Sequence, residues 1–323
     1  MGLLVEGVWK DQWYSTKETG GRFVRKDAGF RNWVTADGSA GPSGDGGFKA
    51  EAGRYHLYIG HACPWANRTA IFRNLKGLQN AIDVSIVHNF MGSDGWTFEL
   101  EEGATGDQLN GFAFMRDVYT AAKPDYTGRV TIPVLWDKER STIVSNESSE
   151  IIRMFNSAFA GIATNDVDYY PESLRAEIDA VNERVYHTLN NGVYKCGFAT
   201  TQQAYLDAAH PLFETLDWLE ALLDERRYLA GDQITEADWR LFTTLVRFDP
   251  VYVGHFKCNM KRIRDYPNLW NYTLELFQHP GVAETVNMRH IKEHYYGSHE
   301  TINPSRVVPA GPEIDYTVAH NRG

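Results

Sequence analysis

The stretch HLYIGHACPWANRTAIFRNLKG, residues 56–77, sets a single cysteine, Cys63, between an apolar run and a helix-like run, with Pro64 directly after it. The thiolate is the reactive form of cysteine, and an ordinary cysteine at neutral pH is mostly thiol. Proline suits the first position of a helix, where its missing N–H is no loss. Cys63 then falls at a helix N-terminus, whose backbone N–H groups and partial positive charge favour an anion. His61 and Arg68 stand close by in sequence. Three residues on, where a resolving cysteine would stand, the chain has Ala66. A disulfide formed on Cys63 is therefore expected to be resolved by a thiol from outside. Cys196 and Cys258 lie in a part with helical patterning, and nothing in their spacing recommends them for that role.

The abundant external thiol of a reducing compartment is a small peptide with two carboxylates and an ammonium. It needs backbone pairing, anion sites and an acidic partner. In TIP (131–133) a proline interrupts a good strand pattern, which calls for an edge position, a bulge or a cis bond. A cis bond before Pro133 would turn the backbone of Ile132 outward to pair with an extended peptide. In NES (146–148), at a helix start, Ser148 and helix N–H groups suit a carboxylate and Glu147 suits an ammonium. Arg129 suits the remaining carboxylate, and Trp96 suits a face of the ligand. Glu147 or Arg129 alone would read as an ordinary surface charge. Their occurrence together with Cys63 and Pro133 gives the pattern its weight.

The elements that must position these residues follow from periodicity. RYHLYIG alternates Tyr55, Leu57 and Ile59 on one face, as a strand does. Pro64 and Gly77 mark the start and stop of a helix, and IDVSIVHNF supplies a second strand, completing a βαβ unit. Residues 91–126 read as irregular. RVTIPVLWD and TIVSN read as a strand and its hairpin partner, and NESSEIIRMFNSAF as a helix with Asn146 or Ser148 as N-cap. From Pro171 onward the patterning is almost wholly helical, with a capping box at Thr235 and Asp238. The fold class is α/β plus all-α. Residues 1–53 form an extension ending in a Gly- and Ser-rich loop, 54–160 the α/β domain and 168–323 the helical domain with a C-terminal tail. Trp9, Trp13, Phe23, Phe30 and Trp33 imply that the extension packs onto the rest.

Composition excludes several functions. The 323 residues carry a formal charge of −10, which argues against nucleic-acid binding. Three widely spaced cysteines fit a reducing compartment rather than a disulfide framework. The N-terminus lacks the apolar core of a signal peptide, and no run reaches the length of a membrane span. No metal is expected: the histidines are read as showing no HxxxH or HExxH spacing, the cysteines are isolated, and His88, His210, His279 and His290 read as ordinary helix or strand positions. GSDG and SGDGG lack the Gly-Lys-Ser/Thr that follows a phosphate loop.

With these motifs in order, the chain resembles a cytosolic glutathione transferase: a thioredoxin-like N-terminal domain with TIP and ES, then an all-helical domain containing TEAD. The series GGFKAEAGRYHLYIGHACPWANRT, MGSDGWTF, RVTIPVLWD, SNESSEIIRMFN, NNGVYKCGFA and HYYGS is narrower, and resembles the Xi class, the glutathionyl-hydroquinone reductases, through almost the whole chain. The resemblance implies that Cys63 is the catalytic cysteine and that Trp96, Arg129, Val130, Ile132, Glu147 and Ser148 hold glutathione. It implies that Tyr194, Tyr252 and Tyr295 face the hydroquinone, with Tyr194 in acid/base work and the other two orienting the ring or supporting the thiolate. Cys196, where the family usually has a small residue, and Asn67 in CPWANRT are departures. Glutathione is implied as substrate and reductant, glutathionyl-hydroquinones as partners, and a cytoplasmic homodimer as the form. An omega-like thiol transferase or dehydroascorbate reductase would need the cysteine but not the tyrosines. A non-catalytic glutathione-binding module would bind without turnover.

Overall fold

The computed structural model describes residues 2–323, which divide into two compact units. Of the described residues, the first comprises 2–13, 26–168 and 284–294; the second comprises 14–25, 169–283 and 295–323.

In the first unit a hairpin, β1 (Leu3–Val5) and β2 (Val8–Lys10), precedes β3 (Tyr55–Ile59), α1 (Pro64–Leu75), β4 (Ile82–Ile86) and α2 (Met115–Ala122). Then come β5 (Gly128–Arg129), β6 (Val134–Asp137), β7 (Thr142–Ser145) and α3 (Ser148–Ser157). The main sheet has the order β4-β3-β6-β7, with β3 and β4 parallel and the other pairs antiparallel. This is the expected βαβ unit followed by a hairpin and helix. The expected strand through Pro133 is two strands: β5 pairs with β1 in a small separate sheet, and β6 enters the main one. The Ile132–Pro133 bond between them is cis. Arg54, just before β3, clasps Asp137 at the end of β6 through Nη2–Oδ2 at 2.6 Å and Nε–Oδ1 at 3.1 Å. Both side chains are buried, so the pair fixes one strand against the other.

Every residue of β3 is buried, not only the alternating apolar set. His56 Nε2 lies 2.8 Å from Ser85 Oγ, and the Tyr58 hydroxyl donates to Asp107 Oδ1 at 3.1 Å. The polar edge of the second face is thus matched partly by the 91–126 stretch. That stretch also holds α2, which the sequence reading passed over; its buried Met115, Val118 and Tyr119 have helical spacing over only eight residues. Gly77 ends α1 as expected, at φ +62°, and a Cβ there would meet Thr164 Oγ1 at 1.7 Å. The N-terminal extension lies along β7, with Asn32 N donating to Val144 O at 3.0 Å and Asn146 N to Phe30 O at 3.2 Å. It covers a sheet edge that would otherwise expose unpaired backbone.

The second unit carries α4 (Arg175–Val185), α5 (Gly192–Gly197), α6 (Gln202–Glu225), α7 (Glu236–Arg247) and α8 (Pro267–Gln278). A last helix, α9 (Met288–Ser298), gives its residues up to His294 to the first unit and the rest to the second. π-Helical turns at Tyr186–Asn190 and Phe248–Tyr252 follow α4 and α7. The capping box at Thr235 is present and extended: Asp238 accepts from Thr235 N (2.7 Å), Thr235 Oγ1 (3.0 Å), Leu229 N (3.0 Å) and the Tyr272 hydroxyl (2.7 Å).

Two stability measurements follow. Asp238→Ala strands several buried donors and is expected to cost about 3 kcal/mol or more in denaturant unfolding, against about 1 kcal/mol for Thr235→Ala; equal losses would show that the buried carboxylate has no special weight. Burial pushes the His56 imidazole down to about 4. The unfolded chain takes up this proton near pH 6.5, the folded protein only near pH 4. Stability is therefore full above pH 6.5 and falls as pH drops across that window, by on the order of 3 kcal/mol. His56→Gln is expected to flatten this part of the stability–pH curve, and an unchanged slope would refute the assignment.

Candidate active site

Cys63 occupies the N-cap of α1 with extended backbone (φ −79°, ψ 121°), and Pro64 is the first helical residue. The Cys63 carbonyl accepts the first helical bond, from Asn67 N at 3.0 Å, and its amide donates to Gly60 O at 3.1 Å. The side chain is half-buried, and its sulfur lies 3.6 Å from the Ile132 carbonyl oxygen, to which the thiol donates. The sequence-separated CP and TIP motifs are therefore brought together. Cys63 stands at the N-cap of a helix whose first-turn amides are not consumed by the helix itself, although no cap hydrogen bond from them to the side chain is formed.

The other residues singled out in this unit have defined neighbours. The N-cap of α3 is Glu147, rather than Asn146 or Ser148. Its Oε1 accepts from Ser149 N at 3.0 Å and Ser149 Oγ at 2.8 Å. Asn146 is drawn away because its Oδ1 accepts from Phe30 N (3.0 Å) and its Nδ2 donates to the Tyr119 hydroxyl (3.0 Å). Ser148, the first helical residue, takes a hydrogen bond of 3.5 Å from Arg68 Nη1. Arg68 is fully buried, with its guanidinium 4.5 Å over the Trp65 ring. Val130 and Ile132 are buried beside the cis bond. Arg129 donates to the Gln12 carbonyl, so the N-terminal segment holds it. Trp96 is buried and stacks on His294, with centroids 4.6 Å apart and planes at 19°. Among the described residues its buried indole N–H has no hydrogen-bond partner.

In the second unit the three tyrosines, widely separated in sequence, form one hydroxyl chain. Tyr194 of α5 lies 2.6 Å from the Tyr295 hydroxyl, and Tyr252 of the π-helical turn 3.1 Å from it. Burial pushes the phenols of Tyr252 and Tyr295 well above 10, against a small opposing pull from Arg247. Both remain neutral donors at working pH. Tyr194 is half-buried, the member of the chain with some access to solvent. A row of neutral hydroxyls meeting a partly exposed one can hold an oxyanion and pass a proton.

Sequence reasoning missed two supports. His294 underlies Trp96 and is itself held by Nδ1 at 2.8 Å from Asn89 O. It stands four residues after His290, and this HxxxH spacing corrects the reading that the histidines show none. His290 Nε2 lies 2.7 Å from Glu102 O, and among the described residues no group of three His, Cys, Asp or Glu is placed to hold a metal. The second is Arg25, whose guanidinium lies 4.9 Å over the Tyr194 ring while Nε donates to Asn191 Oδ1 at 2.8 Å. Its only signal was the aromatic-rich extension. Cys196 and Cys258 are buried, and burial pushes the Cys258 thiol well up, in keeping with inert packing. Among the described residues, no helix is long and apolar enough to cross a membrane.

Family models for the glutathione S-transferase N-terminal domain and C-terminal domain match residues 62–158 and 202–274. The chain is 56% identical to glutathionyl-hydroquinone reductase YqjG of Escherichia coli over all of this chain and 98% of that protein. The glutathione-bound structure of YqjG superposes with a TM-score of 0.92 at 53% identity, over 99% of this chain and 98% of that one. Glutathionyl-hydroquinone reductase PcpF of Sphingobium chlorophenolicum is 57% identical, over 97% of this chain and 96% of its own. A Xi-class transferase from Natrialba magadii superposes with a TM-score of 0.91 at 46% identity, over 100% of this chain and 96% of that one. The chain belongs to the glutathione S-transferase family, in its Xi class of glutathionyl-hydroquinone reductases.

Proposed function

We propose that this protein reduces glutathionyl-hydroquinones to hydroquinones with glutathione as reductant, through a Cys63–glutathione mixed disulfide. The hydroxyl chain Tyr194–Tyr295–Tyr252 is the observation that carries this reading, because transfer between thiols alone has no use for it. In the first half-reaction the Cys63 thiolate attacks the substrate's glutathionyl sulfur. The S–S bond forms, the ring C–S bond breaks, and the electron pair left on the ring carbon takes a proton. An aryl carbanion is too poor a leaving group to depart alone, so proton delivery must accompany cleavage. Tyr194 is the acid, and Tyr252 and Tyr295, kept neutral by burial, donate to the ring oxygens. In the second half-reaction a second glutathione gives its proton to the Tyr194 phenolate, and its thiolate attacks the mixed disulfide. Oxidised glutathione leaves, and Cys63 returns as thiolate.

Glutathione binding is read onto the first unit. The backbone at Ile132 pairs with the peptide, and Ser148 with the start of α3, backed by Arg68, takes one carboxylate. Glu147 takes the ammonium while capping α3, Arg129 takes the other carboxylate, and the Trp96 indole N–H is the donor without an acceptor that a bound ligand would supply. The division of labour follows the expected domains, glutathione on 54–160 and the hydroquinone on 168–323. In the same reading the protein works in the cytoplasm as a homodimer, and sedimentation would report the second point.

With a glutathionyl-hydroquinone and glutathione as substrates, Cys63→Ala is expected to lose turnover by at least a thousandfold. Tyr194→Phe should lose about a hundredfold while still forming mixed disulfide with a simple disulfide substrate. Wild-type rates in the cysteine variant would end this mechanism. His294→Ala removes the stack beneath Trp96 and should raise KM for glutathione several-fold with kcat within about twofold. His294→Phe, which keeps a ring there, should recover most of it; no recovery would place the effect in the Asn89 contact instead.

A further inference from the structure

The residues 14–25 belong to the helical unit although they precede the whole α/β core in sequence. They are built onto α5 and the start of α6. Thr200 N donates to Gly21 O at 3.0 Å, the Thr201 hydroxyl to Gly20 O at 3.1 Å, and Arg22 pairs with Asp207 at 2.7 Å. Phe23 is buried between Tyr14, at 4.8 Å between centroids, and Phe198, at 5.4 Å. This strap ends at Arg25. Its guanidinium is fixed by Asn191, itself the residue before α5, over the face of Tyr194 and 5.5 Å from the centre of Phe23. A cation at this distance from a phenol ring is attracted by the ring face, and more strongly by a phenolate.

The groups described beside the tyrosine chain include neutral phenols and an imidazole kept neutral by burial. Tyr295 of α9 and Tyr252 of the π-helical turn are neutral phenols, and burial pushes His255, 3.0 Å from His299, down to about 4. Arg247 acts on Tyr252 and Tyr295. Lys195, next along α5, donates to His187 O at 2.9 Å, and Cys196 is buried.

We infer that Arg25 is a positioning residue for the proposed reaction, stabilising the negative charge that Tyr194 carries between giving its proton to the ring carbon and recovering one from the second glutathione. This rests on the hydroquinone reading above. It assigns the N-terminal strap a part in the chemistry: Tyr194 becomes a stronger acid in the cleavage step, and its phenolate persists long enough to receive the thiol proton.

The test is the single-turnover rate of C–S cleavage against pH for wild type, Arg25→Met, Arg25→Lys, Tyr194→Phe and the Arg25→Met/Tyr194→Phe double variant. Tyrosinate absorbance is titrated on the same proteins without substrate. Arg25→Met is expected to slow cleavage about tenfold, with KM for glutathione within about twofold, and to move the alkaline inflection upward. Arg25→Lys should restore most of the rate and the inflection, and Arg25→Met should add nothing in the Tyr194→Phe background. The tyrosinate titration should show one phenol moving up in Arg25→Met and missing in Tyr194→Phe. An Arg25→Met loss that is equal with and without Tyr194, or an unmoved inflection and titration, overturns the inference. Failure of the hydroquinone reading is told apart by the wild type: it would then cleave no glutathionyl-hydroquinone, whatever the titration shows.

Discussion

A sulfur nucleophile must be an anion before it reacts, and the start of α1 is where this chain can keep one. The first unit is arranged around that constraint. Pro64 fixes where the helix begins, and the Cys63 backbone closes the turn on both sides through Gly60 and Asn67. The strand before the helix is held to β6 by Arg54 and Asp137, two opposite charges buried together. At the other end of β6 the strand starts directly after the cis bond, beside the Ile132 carbonyl to which the Cys63 thiol donates. Breaking a buried pair of this kind leaves one charge without compensation, which is far more costly than never having had it.

The second unit solves a different electrostatic problem. Its interior sets buried hydroxyls and the Asp238 carboxylate among aromatic rings, joined by hydrogen bonds such as Tyr194–Tyr295 and Tyr272–Asp238. Asp238 collects four donors and ties the loop before α7 to α8 through Tyr272. Tyr295 sits between two phenols. The first unit presents fixed positive ends to an anion. The second keeps Tyr252 and Tyr295 neutral by burial and brings the Arg25 cation over the ring of Tyr194.

What the sequence made legible was local. Cys63–Pro64, the Gly77 stop and the Thr235–Asp238 box are signals within a few residues, and the structure has all three. The N-cap of α3 was misjudged by one residue because Asn146 is claimed by Phe30 and Tyr119, neither of which is near it in sequence. The tyrosine chain joins positions 194, 252 and 295, and no periodicity links them; only the resemblance pointed there. Arg25 and His294 were invisible for the same reason, since each is defined by a partner far along the chain. Helix α2 escaped because eight residues give too short a period to stand out from a loop.

The order of synthesis gains meaning from the way the first unit is divided along the chain. Residues 284–294 complete it: Thr285 Oγ1 takes a 2.8 Å bond from Asn67 in α1, Glu293 one of 2.6 Å from Asn89, and His294 underlies Trp96. A nascent chain emerging N-terminus first can form the sheet and α1 early. It must then wait through more than a hundred further residues before α1 and Trp96 receive these partners. The thiol-bearing helix is thus finished among the last parts of the protein to be made, so a ribosome that stalls within the helical region releases a sheet without its completed nucleophile site.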